Sequence, residues 1–199
     1  LPESGARCPI IFGSFNNLSK MNPGVIALWA RVLNAVPGSR LMLKARQLAD
    51  PDVGQRMRDA FAAHGVDPAR LDFAARTASR DDHLALYGAV DIALDTLPYN
   101  GATTSCEALW MGTPVLTLAG DRSTARYGAS LLAHAGCGDW VAGSPDEFVA
   151  IAAGLARIRP DRAALRDRVA ASGLTDGARA ARELEDAYEA MWRRWSEMP

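Results

Sequence analysis

Two threonines behind a glycine turn, with a glutamate one helical turn further on, are the residues of this chain best placed to do chemistry. They lie in Asp95-Thr96-Leu97-Pro98-Tyr99-Asn100-Gly101-Ala102-Thr103-Thr104-Ser105-Cys106-Glu107-Ala108-Leu109-Trp110-Met111-Gly112-Thr113-Pro114. The stretch reads as a strand end, a polar loop, a helix and the start of another strand. Thr103 and Thr104 fall where the helix should begin. There the first backbone N–H groups lack intrahelical partners and the helix dipole is positive. Such a start, after a Gly-bearing turn, suits a phosphate. Glu107 is then close enough to reach a sugar hydroxyl beside it, which suggests a sugar-nucleotide pocket. Any βα turn also favours Gly and Thr, so the turn alone leaves a purely structural reading open.

Three further loops carry candidate groups. Ser14-Phe15-Asn16-Asn17-Leu18-Ser19-Lys20-Met21-Asn22-Pro23 offers three amides and a lysine to phosphate and sugar oxygens. It is neither GxGxxG nor GxxxxGK[ST], and no acidic residue closes the following strand, which counts against a dinucleotide site. Arg76-Thr77-Ala78-Ser79-Arg80-Asp81-Asp82-His83 could read a base edge, with His83 stacking on it. Gly120-Asp121-Arg122-Ser123-Thr124-Ala125-Arg126 could hold an acceptor or a phosphate, or be a solvated charged loop. His64 and His134 sit near helix ends, where the C-terminal dipole favours them. No two histidines are spaced i, i+4 and no HExxH occurs, so no metal site is expected. Cys8, Cys106 and Cys137 form no CxxC pair and no disulfide framework, which reads as a reducing cytoplasm. Cys106 is expected to be inert packing.

The elements that must position these groups alternate. Strands are predicted at Pro9–Phe15, Arg40–Ala45, Leu71–Ala75, Ile92–Asp95, Pro114–Leu118 and Trp140–Ala142. Helices are predicted at Pro23–Val36 (Asn22 as cap), Asp52–His64, Arg80–Tyr87 (Ser79 as cap), Thr103–Met111, Thr124–Ala135 and Pro145–Ile158. That alternation means βαβ units and a doubly wound, Rossmann-like parallel sheet, with its ligand at the carboxyl ends of the strands. Residues 1–159 are read as that lobe. Residues 160–199 are read as a helical extension packing on or beside it, with helices at Arg162–Ala171 and Asp176–Trp195. Leu184, Tyr188, Met191, Trp192 and Trp195 recur at helical spacing, a stripe suited to a partner surface.

Composition sets the outer bounds. The 199 residues are 49% hydrophobic and 23% charged, with a net charge of -1, which gives no argument for nucleic acid or membrane partners. No apolar run approaches the roughly 18 residues of a membrane span. The start, Leu1-Pro2-Glu3-Ser4-Gly5, has no signal-peptide pattern and no initiator Met, so the chain reads as a piece of something longer. Of 22 basic residues only Lys20 and Lys44 are lysine, which singles those two out.

Several motifs occur in a fixed order: Asn16-Asn17-Leu18-Ser19-Lys20, His83-Leu84, Asp91-Ile92-Ala93-Leu94-Asp95-Thr96, Asn100-Gly101-Ala102-Thr103-Thr104, Leu109-Trp110-Met111-Gly112-Thr113-Pro114 and Met191-Trp192. Together they resemble the C-terminal catalytic lobe of the O-GlcNAc transferase/SPINDLY glycosyltransferases, above all the bacterial SPINDLY-type proteins with tetratricopeptide repeats. The resemblance covers nearly the whole chain. It implies a GT-B architecture, of which this is the donor-holding C-terminal lobe.

It also implies that Lys20 contacts the donor phosphates as the catalytic group. Asn17 would lie near phosphate or sugar, Thr103 and Thr104 would present helix-start amides to the diphosphate, and Gly101 and Ala102 would belong to the same donor-binding turn. Glu107 would meet the ribose, Arg80 and His83 would flank the nucleoside, and backbone at Ala78 would read the base. Ala102 stands where animal O-GlcNAc transferases carry a histidine beside the sugar, so the donor stays open between UDP- and GDP-linked sugars. The implied function is inverting, metal-independent transfer from a nucleotide-sugar to Ser/Thr of a protein acceptor, with no cofactor. The partner lobe and repeats would belong to the parent chain, and this lobe alone would bind donor without transferring it. The rival readings are a non-catalytic nucleotide-binding or scaffolding module and a nucleotide-dependent oxidoreductase.

Overall fold

Six short strands and eight α-helices make up the regular structure of residues 9–198, the residues described by a computed structural model of the chain. The strands are β1 (Ile11–Ser14), β2 (Arg40–Lys44), β3 (Leu71–Ala74), β4 (Ile92–Leu94), β5 (Val115–Leu118) and β6 (Val141–Ala142). All are parallel, in the order β3-β2-β1-β4-β5-β6. The order reverses between β1 and β4, where a doubly wound sheet opens its ligand crevice.

The helices are α1 (Pro23–Ala35), α2 (Pro51–Ala62), α3 (Arg80–Ala85), α4 (Thr103–Trp110), α5 (Tyr127–His134), α6 (Pro145–Ile158), α7 (Arg162–Ala170) and α8 (Gly177–Ser196). Side chains alternate along each strand, so the sheet buries both faces. Leu41, Leu43, Ile92, Leu94 and Leu116 join α1, Phe61 of α2 and Phe148 of α6 in one core. Met42, Ala93 and Val115 face the other, with Ala108 and Leu109 of α4, Leu132 of α5, and Leu165 and Val169 of α7. Trp29 is fully buried in the first core and its indole N–H has no partner among the described residues.

Helix starts follow their caps. Asn22 accepts from Val25 N at 3.1 Å to open α1, behind Pro23. Ser79 and Asp82 form a reciprocal capping box on α3. Asp50, Ser144, Asp161 and Asp176 cap α2, α6, α7 and α8. By contrast, α4 and α5 carry no side-chain cap. The helix expected over Thr124–Ala135 is two pieces. A 3-10 turn at Ser123–Ala125 is broken from α5 by Arg126, whose φ of -124° is not helical.

The two C-terminal helices behave differently. α7 buries Leu165 and Val169, whereas α8 buries nothing. Leu184, Tyr188, Met191, Trp192 and Trp195 are each more than half exposed. α8 is supported instead along its own surface, by the Arg179–Glu183 and Glu189–Arg193 pairs at 2.7 and 2.6 Å. Deleting residues 177–199 should therefore change the stability of the lobe by less than about 1 kcal/mol in urea unfolding. A loss above about 2 kcal/mol would show that α8 packs on the lobe in solution.

Candidate functional site

β1 and β4 pair through Phe12–Ile92 and Gly13–Ala93, so the loops leaving their carboxyl ends meet. The β4 loop is fixed by Asp95, which is 4% exposed. Its Oδ1 accepts from Thr96 N at 2.9 Å and Gly101 N at 2.6 Å, and its Oδ2 accepts from Thr117 Oγ1 at 2.8 Å. The Asn100 side-chain amide donates to the Thr96 carbonyl at 2.7 Å, and its backbone N–H donates to Thr124 O. Gly101 is required by a close approach. A Cβ there would lie 2.4 Å from Thr104 Oγ1 and 3.0 Å from Asn16 Oδ1.

Burial pushes the Asp95 carboxyl up to about 6, against the three hydrogen bonds and the Lys20 charge that favour its ionised form. The folded chain thus binds this proton more tightly than the unfolded chain. The stability Asp95 contributes is full below pH ~3.8 and is lost as pH rises through about 6. Asp95→Asn should remove that slope and cost little at pH 7, since the amide keeps an acceptor for the two N–H groups and Thr117 Oγ1 can turn to accept. Asp95→Ala strands two buried N–H donors and should cost roughly 2–6 kcal/mol, at about 1–3 per group. Urea titrations between pH 4 and 8 measure both. Equal losses in the two variants would refute this account of the loop.

The β1 loop brings Lys20 alongside. Lys20 Nζ donates to Asn100 O at 2.9 Å and Asn16 Oδ1 at 3.2 Å, and sits 4.5 Å from the centre of the Tyr99 ring. An ammonium has three donors, so one remains for a ligand. Desolvation lowers the Lys20 pKa, partly offset by Asp95. Asn16 Oδ1 also accepts from Thr104 Oγ1 at 3.2 Å. Buried Asn16 therefore joins the lysine to the start of α4, whose first N–H groups have no side-chain cap. Asn17, Lys20, Pro98 and Tyr99 line a cleft of about 480 Å3 here.

Beside it, Arg80, Thr103, Cys106 and Glu107 rim a second cleft of about 320 Å3, floored by Leu84, Leu109, Trp110 and Val169. Glu107 Oε2 lies 3.0 Å from His83 Nε2 and 3.5 Å from the Tyr87 hydroxyl. His83 Nδ1 lies 2.7 Å from Lys44 Nζ. Its ring packs against the Phe15–Tyr87 pair, with each centroid 5.7 Å away.

Comparison with known proteins identifies the family. The family model described as glycosyl transferase family 41 matches residues 2–180. The chain belongs to glycosyl transferase family 41. The probable UDP-N-acetylglucosamine–peptide N-acetylglucosaminyltransferase SPINDLY of Oryza sativa subsp. japonica is 41% identical over 206 residues, spanning 98% of this chain but 22% of its own length. The UDP-N-acetylglucosamine–peptide N-acetylglucosaminyltransferase of Caenorhabditis elegans is 33% identical, over 96% of this chain and 17% of its own. A mutant O-GlcNAc transferase of Thermobaculum terrenum matches with a TM-score of 0.87 and 41% identity, covering 96% of this chain and 37% of that one. Anabaena HepE, solved with UDP and glucose, shares the fold at 19% identity and a TM-score of 0.54. The fold is the Rossmann-like C-terminal lobe of a GT-B glycosyltransferase, as the resemblance implied.

Within this family-41 lobe the expected residues fall into groups. Lys20, Gly101 and Thr104 converge around Asn16. Arg80, Thr103 and Glu107 share the second cleft. Asn17 Oδ1 accepts from Ser19 N and Gln47 Nε2. Ala102 is the exposed residue before α4. Ala78 is exposed in the loop after β3 and lines none of the clefts described. His83 has both ring nitrogens engaged by side chains. The arginines of the β5 loop have local partners: Arg122 lies 3.8 Å from Asp121, and Arg126 donates to Gly120 O. Cys106 is exposed rather than packed inside, but burial of its sulfur and the nearby Glu107 raise its pKa, which disfavours the thiolate. Tyr87 and Asp95 carry no site reading in the sequence, and Asn16 enters it only as one of three loop amides. The one signal for Lys44 was its rarity among the basic residues.

Proposed function

We propose that this lobe holds the nucleotide-sugar donor of an inverting, metal-independent glycosyltransferase that modifies Ser/Thr of proteins. The observation that carries the reading is the Lys20–Asn16–Thr104 junction. It sets a cation with a spare donor against the uncapped start of α4. A diphosphate placed there would meet Lys20 and the helix-start N–H groups together. As an acceptor hydroxyl attacks the anomeric carbon, the sugar–diphosphate bond breaks and negative charge grows on the leaving diphosphate. Fixed protein donors stabilise that charge, so the reading needs no metal ion and no cofactor. The ribose would lie against Glu107 and the nucleoside beside Arg80 and His83. The names of the relatives, peptide N-acetylglucosaminyltransferases, support a protein acceptor. The cytoplasmic location expected from the cysteines accords with it.

The parent chain would supply the partner lobe and the repeats that hold the acceptor, so the isolated lobe should bind donor without transferring it. A thermal-shift series with UDP, GDP, UDP-GlcNAc, UDP-glucose and GDP-fucose, with and without EDTA, tests the reading. A ligand at about 100 times its Kd should stabilise the fold by roughly 2.7 kcal/mol. One base series should shift the transition, and EDTA should not abolish the shift. No shift with any nucleotide at millimolar concentration would overturn the assignment.

A further inference from the structure

Lys44 ends β2, one strand removed from the β1/β4 crevice. Its ammonium reaches His83 Nδ1 at 2.7 Å and sits 5.8 Å from the centre of the Phe15 ring. Among the described residues it is one of two lysines, the other being Lys20. The partners of the imidazole decide its form. An ammonium can only donate, so Nδ1 facing Lys44 must accept. The proton of a neutral ring then lies on Nε2, pointing at Glu107 Oε2 at 3.0 Å. The single proton of the Tyr87 hydroxyl goes to Thr104 O at 3.1 Å, the nearer acceptor, with Glu107 Oε2 at 3.5 Å. One carboxylate oxygen is thus held by the protein. Glu107 Oε1 has no protein partner among the described residues and belongs to a side chain on the rim of the second cleft.

We propose that Lys44 is a positioning residue of the donor site, fixing His83 as the Nε2–H tautomer so that Glu107 keeps one carboxylate oxygen free for a ribose hydroxyl. This rests on the reading of the site given above. Lysine suits the task because it is a compact donor on a flexible stem, whereas the planar fork of arginine presents several donors at once. Without Lys44, Nδ1 loses its donor and the ring can turn over or change tautomer. A ring bearing its proton on Nδ1 would aim a lone pair at the Glu107 carboxylate. Glu107 would then leave its place, and the ribose would lose its acceptor.

Two measurements on this chain decide it. Long-range proton–nitrogen NMR of the three histidines, with His83 assigned by its loss in His83→Gln, reports the tautomer directly. The unmodified chain should show Nε2–H at His83, Lys44→Met should show a mixture or Nδ1–H, and Lys44→Arg should restore Nε2–H at least in part. Calorimetric titration supplies the second readout. Lys44→Met should weaken the nucleoside diphosphate that the unmodified chain binds by roughly 5- to 10-fold, the worth of about one hydrogen bond. Inorganic pyrophosphate, which has no ribose, should bind as before, and its unchanged affinity also shows that the variant is folded.

An Nδ1–H tautomer in the unmodified chain overturns the proposal. So does an unchanged nucleotide affinity, or an equal loss for pyrophosphate, which would make Lys44 a phosphate contact. Failure of the unmodified chain to bind any nucleotide overturns the functional reading as well.

Discussion

Lys20→Ala is expected to lower affinity for a nucleoside diphosphate by roughly 10- to 150-fold. Hydrogen bonds to charged groups are worth about 1.5–3 kcal/mol, which sets that range. The side chain is already ordered by Asn16 Oδ1 and Asn100 O, so binding spends little further entropy on it. Its remaining donor is the one offered to phosphate. The nucleoside monophosphate should suffer less if Lys20 chiefly meets the second phosphate. Glu107→Ala should behave in the opposite sense, weakening nucleotides while leaving pyrophosphate as good a competitor. Lys20→Met keeps the stem against Tyr99 and removes only the donors, so it separates lost charge from lost packing. Calorimetry on the three variants, with unfolding curves beside it, decides the matter. An unchanged diphosphate affinity in folded Lys20→Met would remove Lys20 from the phosphate site.

The groups visible in the sequence were those that announce themselves by local pattern. Asn22-Pro23, Ser79 before Arg80, and Gly101 before Thr103-Thr104 are signals written in adjacent residues, and each lies where expected. Period-two burial along β2 and β4 likewise follows from strings such as Arg40-Leu41-Met42-Leu43-Lys44. Contacts between distant segments were not legible. Lys20 with Asn100 spans 80 residues and Lys44 with His83 spans 39, and no local pattern encodes either. Asn16 was hidden differently. Asn16 and Asn17 look alike in sequence, yet successive residues near a strand end point to opposite sides. Asn16 is buried against Thr104 and Lys20, while Asn17 stays outside with Gln47. The split at Arg126 has no marker in Thr124–Ala135, which holds no proline. The bond from Asn100 N to Thr124 O is a tertiary constraint that the local sequence does not carry.

Gly112→Ala is expected to destabilise the lobe by about 3 kcal/mol or more without touching the affinity of its folded fraction for nucleotides. Gly112 has φ +71°, in the left-handed region, and a Cβ there would lie 2.3 Å from the Arg162 carbonyl oxygen. The backbone conformation alone costs an L-residue roughly 1–2 kcal/mol. Relieving the clash must also push α7 away, and α7 is anchored through Arg162. That guanidinium donates to Val90 O, Tyr87 O, Met111 O and Thr113 Oγ1 at 2.7–3.1 Å. All four acceptors lie before the amino ends of β4 and β5, at the opposite end of those strands from the Lys20 site. Arg162→Met strands several of them and should itself cost about 3 kcal/mol. Because both changes break one junction, the double variant should lose clearly less than the sum of the two. Urea unfolding of the three proteins measures this, and calorimetry at low denaturant should return unchanged nucleotide affinity. A loss below about 1 kcal/mol for Gly112→Ala would show that α7 yields freely. An additive double variant would show that the glycine and the arginine act apart. The expected result would place Gly112-Thr113, part of the string that carries the family resemblance, with folding, and leave donor chemistry to the loops at the far end of the strands.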